Sequence, residues 1–203
     1  MEFHIENTEV YGIDKAIIAS GNAMRTEMAN NTLSMEVKDF NRGCKLGSSG
    51  VGEGHDQFLS GIVVQFDLYA PLYMWKQIQR YHFLDFISSQ STMHRLAQFD
   101  PASQFVADTD PVIIKRYQDL WRDYGTTEET DPVIHNKKWR RLVASLPCGF
   151  VLGATMTTNY RQLKTIYFQR KNHKLTEWRE FCRWCEELPY FSELCLGKKP
   201  GVE

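Results

Sequence analysis

The amino-acid sequence predicts an α+β fold, a mainly antiparallel sheet with helices packed on it. Strand-like segments are few, and the helical patterns concentrate after residue 110. With 203 residues, 42% of them hydrophobic, the chain is long enough for one substantial core, so a single domain spanning 1–203 is expected.

Residues 9–18, EVYGIDKAII, carry the β-branched and apolar residues of a strand. The polar, Asn-rich stretch from Gly21 to Asn41 has no clean periodicity and is expected to be partly helical or mobile. The segment Gly43–His55, GCKLGSSGVGEGH, reads as a glycine-rich loop whose backbone amides could approach a ligand. It is not a P-loop, because no Lys-Ser or Lys-Thr follows the glycines. Ile62–Tyr69, IVVQFDLY, reads as a strand with at least one buried face, ended by Ala70 and Pro71. Pro71 then suits the first turn of a helix, LYMWKQIQRY, with Leu72, Trp75, Ile78 and Gln79 near one face.

Asp110 and Pro111 start the helix PVIIKRYQDLWRDYG, which Gly125 ends, and Asp131 and Pro132 start another that reaches about Leu146. An aspartate there accepts from the first free amides, and the proline that follows has no N–H to leave unpaired. After Pro147 a short apolar stretch, GFVLGATM, precedes two helical patterns, NYRQLKTIYFQR and LTEWREFCRWCEEL, the second stopped by Pro189. The tail LGKKPGVE reads as frayed.

Lys plus Arg number 24 against 25 Asp plus Glu, so no net positive field exists to hold a nucleic-acid backbone. No apolar run approaches the roughly 18 residues of a membrane helix, and Met1–Ile18 alternates charged and apolar residues rather than presenting a signal-peptide core. The expectation is a cytoplasmic protein without nucleic-acid or membrane partners. Five cysteines, Cys44, Cys148, Cys182, Cys185 and Cys195, fit reduced thiols better than a disulfide framework.

Cys182 and Cys185 form a C-x-x-C, but Leu175, Trp178, Phe181 and Leu188 share their helical spacing, so both thiols are expected on an apolar helix face. A second ligand pair is missing, and no metal site is expected. Lys137, Lys138, Arg140 and Arg141, interrupted by Trp139, read as the solvated face of a helix. His55 after the glycine-rich loop reads more readily as structural than functional. Ser91 in SSQSTMHR lacks a G-x-S-x-G elbow, so a hydrolase triad is unsupported. Arg80 and Arg170 each end an amphipathic pattern, where a fork of donors suits a phosphate or the carbonyl edge of a pyrimidine. An ion pair with Asp or Glu is the competing use for either.

Taken together, His55–Arg95 and Pro147–Arg170 resemble the flavin-dependent thymidylate synthase family. In that family a histidine opens a strand, Ala-Pro follows, a glutamine leads into Arg-His-Arg, and Glu-x-Ser-x-Arg-Tyr comes shortly after. Here His55 begins HDQFLSGIVVQFDLYAP, Gln77 leads into Arg80-Tyr81-His82, and Ser89-Gln90-Ser91-Thr92-Met93-His94 takes the place of the last element, with an insertion between. Asn159-Tyr160-Arg161 followed by Arg170 matches the family's C-terminal spacing. The departures are Tyr81 and His82 for the histidine and second arginine, Ser89 for the glutamate, and Met93 with His94 for Arg-Tyr. The wording of SSQSTMHR and QRKNHKLTEW is of the sort met in bacteriophage genomes.

The resemblance implies a fold like that of the thymidylate synthase complementing proteins, a homotetramer with ligand sites between subunits, and methylation of a pyrimidine nucleotide (dUMP to dTMP or a close variant). It also implies FAD as cofactor, methylenetetrahydrofolate as one-carbon donor and NADPH as reductant. The flavin then supplies the hydride equivalents and no nucleophilic cysteine is needed. His55, Gln77, Arg80 and His82 are the implied cofactor-binding residues. Gln77, Arg80, Ser91, Arg95 and Arg170 are the implied substrate-binding residues, with Ser91 and Arg170 at the chemistry. Arg95 is a substitute for the arginine missing at Met93. Loss of the motif glutamate and arginine keeps a second class of function open, a noncatalytic nucleotide- or flavin-binding protein that retained the scaffold.

Overall fold

The computed structural model of the chain describes residues 1–28, 34–125 and 131–199. Its first turn is set by Gly12, whose φ of +80° lies in the left-handed region and whose missing Cβ would otherwise sit 2.7 Å from the Gly61 carbonyl oxygen. Strand β1 therefore ends at Tyr11 (His4–Tyr11) and helix α1 follows at Ile13–Ala19. The stretch 9–18, expected as one strand, is the end of a strand and most of a helix. Its short apolar run is compatible with either, and burial of Ala16, Ile17 and Ile18 on one turn decides for the helix.

Helix α2 (Val37–Gly47) starts on a reciprocal cap between Glu36 and Asp39. It takes in Gly43 and Gly47, so the glycine-rich loop is shorter than Gly43–His55. A side chain on Gly47 would collide with the Leu194 carbonyl, so this glycine allows close packing and does not open a loop. Part of the Asn-rich expectation, residues 29–33, lies outside the described residues.

Strand β2 (Val63–Pro71) buries Val64, Phe66, Leu68 and Ala70 on alternate positions, as predicted, and runs straight into α3 (Leu72–Ile78). Pro71 keeps extended ψ of 153° and closes the strand, instead of occupying the helix's first turn. Strand β3 (Asp85–Ser89), unforeseen in the sequence, has every residue exposed and so lacks the alternation that marks a strand. After the single turn α4 (Thr92–Arg95) come α5 (Pro111–Gly125) and α6 (Pro132–Ala144), both begun as predicted. Asp110 accepts from the Val112 amide at 2.7 Å and Asp131 from the Val133 amide at 2.8 Å.

The apolar GFVLGATM stretch enters β4 (Val151–Asn159), buried on both faces at its start. Helices α7 (Tyr160–Arg170), α8 (Thr176–Glu187) and α9 (Phe191–Leu196) complete the chain, and the sheet order is β1-β2-β4-β3. Antiparallel pairing of β2 with β4 is bracketed by Leu72 N–H donating to Phe150 O and Tyr160 N–H to Ile62 O, both at 3.0 Å. The fold is α+β with an antiparallel sheet, as the sequence predicts. Of the tail expected to fray, residues 200–203 lie outside the described residues, whereas Lys198 is tied to Glu186 at 2.5 Å. Among the described residues no helix is long and apolar enough to cross a membrane.

The chain divides into two compact units: Met1–His4, Asp67–Tyr81 and Phe86–Thr155 in the first, Ile5–Phe66, His82–Asp85 and Met156–Glu203 in the second. The first is built on Leu96, Phe105, Tyr117, Leu120, Leu142, Phe150 and Leu152. Phe105 meets Phe150 edge-on at 5.4 Å and Tyr117 at 5.7 Å. Lys137, Arg140 and Arg141 face solvent on α6, and Lys138 pairs with Asp123 at 3.3 Å. In the second unit Phe181 packs on Trp178 at 5.6 Å and on Phe66 at 6.2 Å. Cys182 and Cys185 are buried on that face of α8, as their spacing predicts.

Tyr117 is 1% exposed and its hydroxyl has no hydrogen-bond partner among the described residues. Burial pushes its pKa up, so the group is a neutral, desolvated hydroxyl at all working pH values. Tyr117→Phe should therefore stabilise the protein by about 1 kcal/mol, raising Tm by about 2–4 °C in a thermal melt. A fall in Tm would show that the hydroxyl is satisfied in solution.

Candidate functional site

The chemistry-bearing residues of the second unit gather where α7 leaves β4. Asn159 caps α7 by accepting from the Gln162 amide at 2.9 Å, which fixes the first turn and with it Arg161. One turn on, Lys164 falls in the buried stripe with Tyr160, Leu163 and Tyr167. Its side chain is 1% exposed, and its ammonium donates to Gly47 O at 2.8 Å, Ser49 O at 2.6 Å and Asp56 Oδ2 at 2.8 Å. Arg161 Nε donates to the other oxygen of the same carboxylate, Asp56 Oδ1, at 3.1 Å. Burial alone would raise the Asp56 pKa, but the hydrogen bonds and charges of Lys164 and Arg161 outweigh it and hold the carboxyl below its ordinary value.

This cluster floors a cleft of about 550 Å³ lined by Asp56, Gln57, Phe83, Asn159, Arg161 and Gln162, among others. Its chemistry is that of an anion site with amides for hydrogen-bonding a ring edge: two cations share one carboxylate, and side-chain amides surround them. In the first unit a smaller cleft of about 270 Å³ is lined by Asp67, Tyr69, Ser88, Ser89, Gln90 and Thr155, among others. Gln90 holds its wall, donating its backbone N–H to Gly153 O at 2.9 Å and accepting the Gly153 N–H on Oε1 at 2.8 Å. Thr155 Oγ1 donates to Asp67 Oδ1 at 2.6 Å.

The residues singled out from sequence fall in both units. His55 is exposed and does not open β2, because a 3-10 turn, Gln57–Gly61, intervenes before the strand begins at Val63. His82 is exposed in the turn before β3. Arg170, at the end of α7, lies with its guanidinium carbon 4.7 Å from the Trp178 ring centre. After burial, its charge is the next cause that lowers the His173 pKa. In the first unit Gln77 is half-buried in α3 and Arg80, exposed, follows it by a turn in which the Arg80 amide donates to Gln77 O at 3.3 Å. Ser91 caps α4 by accepting from the His94 amide at 3.2 Å, and Arg95, exposed, donates to Gln98 Oε1 at 2.7 Å.

The structure thus brings Gln77 beside Arg80, and Ser91 beside Arg95. None of the seven residues given a site role from sequence (His55, Gln77, Arg80, His82, Ser91, Arg95, Arg170) lines the larger cleft, but Asn159 and Arg161 of the Asn-Tyr-Arg motif and Val51 and Gly52 of the glycine-rich segment do. Asp56 and the Lys164 buried behind it were missed, and Arg161 was noted only as part of the Asn-Tyr-Arg motif, with no site role. The available signal was a lysine at a buried helical position, since a buried lysine demands a carboxylate. The thiols are elsewhere. Burial raises Cys182 to about 12 and pushes Cys185 and Cys195 well up, so none of these three is a nucleophile near neutrality.

Asp56→Asn would leave the Lys164 ammonium buried with carbonyls only, and a loss of about 3–5 kcal/mol of stability is expected in a urea melt. Because the folded pKa of Asp56 lies below the unfolded value of about 3.9, its contribution is complete above that pH and is lost as pH falls through the lower, folded value. The wild-type acid limb should flatten correspondingly in the variant. An unchanged acid limb would remove Asp56 as its source.

No protein-family model matches the chain, and no curated protein matches it. Solved structures do. The crystal structure of the flavin-dependent thymidylate synthase ThyX from Helicobacter pylori complexed with FAD and dUMP matches with a TM-score of 0.71 at 14% identity, over 96% of this chain and 98% of that one. A second Helicobacter pylori ThyX structure with FAD and dUMP, at 2.31 Å resolution, matches with a TM-score of 0.71 at 15% identity, over 96% of this chain and 97% of that one. The chain shares the fold of the flavin-dependent thymidylate synthases along nearly its whole length.

Proposed function

We propose that the protein carries out flavin-dependent methylation of a pyrimidine nucleotide, dUMP to dTMP or a close variant, with methylenetetrahydrofolate as one-carbon donor and NADPH as reductant. The observation that carries this reading is the likeness in fold, over 96% of the chain, to enzymes crystallised with FAD and dUMP. Fold by itself hosts many activities, so the site chemistry must agree. It does in the larger cleft: the cluster of Asp56, Arg161 and Lys164 leaves a positive balance for a phosphate, and Asn159, Gln162 and Phe83 suit a ring with a polar edge.

FAD fits those groups, and when bound it supplies the hydride equivalents. In the second unit Arg161 and Asn159 would hold it, with His55 and His82 as further cofactor contacts; in the first unit Gln77 and Arg80 would serve the same cofactor role. In the first unit Ser91 would bind a nucleotide phosphate with Arg95, Gln77 and Arg80; in the second unit Arg170 would polarise a uracil edge. The protein's own work is then binding, orientation and exclusion of water, which agrees with buried, high-pKa thiols. A homotetramer would let subunits complete one another's sites. The exposure of Phe86 (42%), Ile87 (51%) and Met93 (52%) in and after the edge strand β3 supports a subunit contact there. Composition supports a cytoplasmic setting, and the bacteriophage reading rests on sequence wording alone.

A second reading, a noncatalytic nucleotide- or flavin-binding protein, is favoured by one observation. Ser89, in the place of the motif glutamate, brings no carboxylate to the smaller cleft, and Arg95, the substitute for the arginine absent at Met93, is not among the residues that line it.

Purified protein should take up FAD with a shifted absorption band, and His55→Ala or Arg80→Ala should weaken the uptake. Arg170→Lys should weaken dUMP binding by about 1–3 kcal/mol in calorimetry, the range for a charge-assisted contact. With methylenetetrahydrofolate and NADPH added, a methylated nucleotide in the mass spectrum supports the enzyme, and tight binding without product supports the second reading. If no pyrimidine nucleotide binds and Arg170→Lys changes nothing, both readings fall.

A further inference from the structure

Asp56 grips its two cations unequally. Its carboxylate is 4% exposed, the Lys164 side chain 1% and the Arg161 side chain 39%. Lys164 spends its three donors on Gly47 O, Ser49 O and Asp56 Oδ2, which fixes both the ammonium and the carboxylate it holds. With Oδ2 so engaged, Asp56 meets Arg161 through Oδ1 and the Nε–H alone, at 3.1 Å. A free aspartate would take a guanidinium by two parallel bonds. This one is held to a single bond at the inner corner of the guanidinium, and the two terminal amino groups have no partner among the described residues.

We propose that Asp56 and Lys164 are positioning residues that hold Arg161 so that its paired terminal N–H groups take a phosphate of the ligand in the cleft. The inference rests on the reading of that cleft as a nucleotide site. Two parallel donors in a plane match two oxygens of a phosphate, which a lysine cannot reproduce. The carboxylate prevents Arg161 and Lys164, three residues apart on α7, from repelling one another and driving the guanidinium off into solvent. Lys164 in turn prevents the carboxylate from covering the edge of the guanidinium that the phosphate needs. The shared chemistry is a phosphate oxyanion, whether from the pyrophosphate of FAD or from dUMP.

The test is a mutant cycle on affinity, read by calorimetry with FAD, dUMP and inorganic pyrophosphate as probes. Asp56→Asn alone risks unfolding, so the working background is Asp56→Asn/Lys164→Met, which removes the buried pair together and fills its space. In the wild-type background Arg161→Ala, and equally Arg161→Lys, should weaken the phosphate ligand of the cleft by at least about tenfold. The double variant, with a thermal midpoint near that of the wild type, should show the same loss, and adding Arg161→Ala to it should cost no more than about twofold further. A purely structural pair predicts the opposite: a folded double variant that binds like the wild type, or the same Arg161→Ala penalty in both backgrounds. Full affinity in Arg161→Lys also overturns the proposal, and does so without relying on the double variant to fold. The FAD and dUMP arms assign the source of the phosphate. If neither binds while pyrophosphate follows the cycle, the flavin nucleotide reading fails and the positioning role stands. If none of the three binds, both fail.

Discussion

A lysine side chain 1% exposed to solvent is the constraint around which the second unit is arranged. Taking that charge out of water costs several kcal/mol unless it is paired and fully hydrogen-bonded. Its partners come from three places: the end of α2 at Gly47, the segment after it at Ser49, and Asp56. One side chain on α7 thus satisfies carbonyls at the C-terminal end of α2, where a helix has no amides left to offer them. The start of α7, set by the Asn159 cap, then has one angular position that delivers Lys164 inward and Arg161 to the cleft.

The same arrangement explains why Gly47 is structural, while Gly52 further along lines the cleft. Gly47 lets α2 lie against Leu194, which brings its terminal carbonyls within reach of Lys164. A ligand loop rich in glycine and a helix that ends in glycine share the same letters, and here packing selects the helix for the first part of the segment. The remaining part leads to Asp56, whose carboxylate is buried against Lys164 while His55 beside it is exposed.

A fold can persist while the groups that perform a reaction change, because the two rest on different residues. The core depends on volume and pattern, which many apolar side chains satisfy. The chemistry depends on particular charges at particular positions. Here the sheet and its helices match those of flavin-dependent thymidylate synthases at 14% identity, whereas Ser89 and Met93 stand where the family motif has a glutamate and an arginine. Ser89 lies on the wall of the smaller cleft, where Thr155 donates to the Asp67 carboxylate.

The sequence by itself determined the elements whose signals are local. The Asp-Pro starts of α5 and α6 and the alternation of β2 depend on residues a few positions apart, so chain order suffices to find them. The motif order pointed to the right fold for the same reason: it preserves the sequence of elements even where individual residues changed. Tertiary structure alone decided β3, whose exposed residues carry no alternation, and the helix after Gly12, whose apolar run suits either conformation until its burial is known. It also decided the cleft. Asp56 and Lys164 lie 108 positions apart in the chain, and nothing local to either records the pairing. A buried charge finds its partner through space, so the residue types announce the need for a partner, and only the packed chain supplies it.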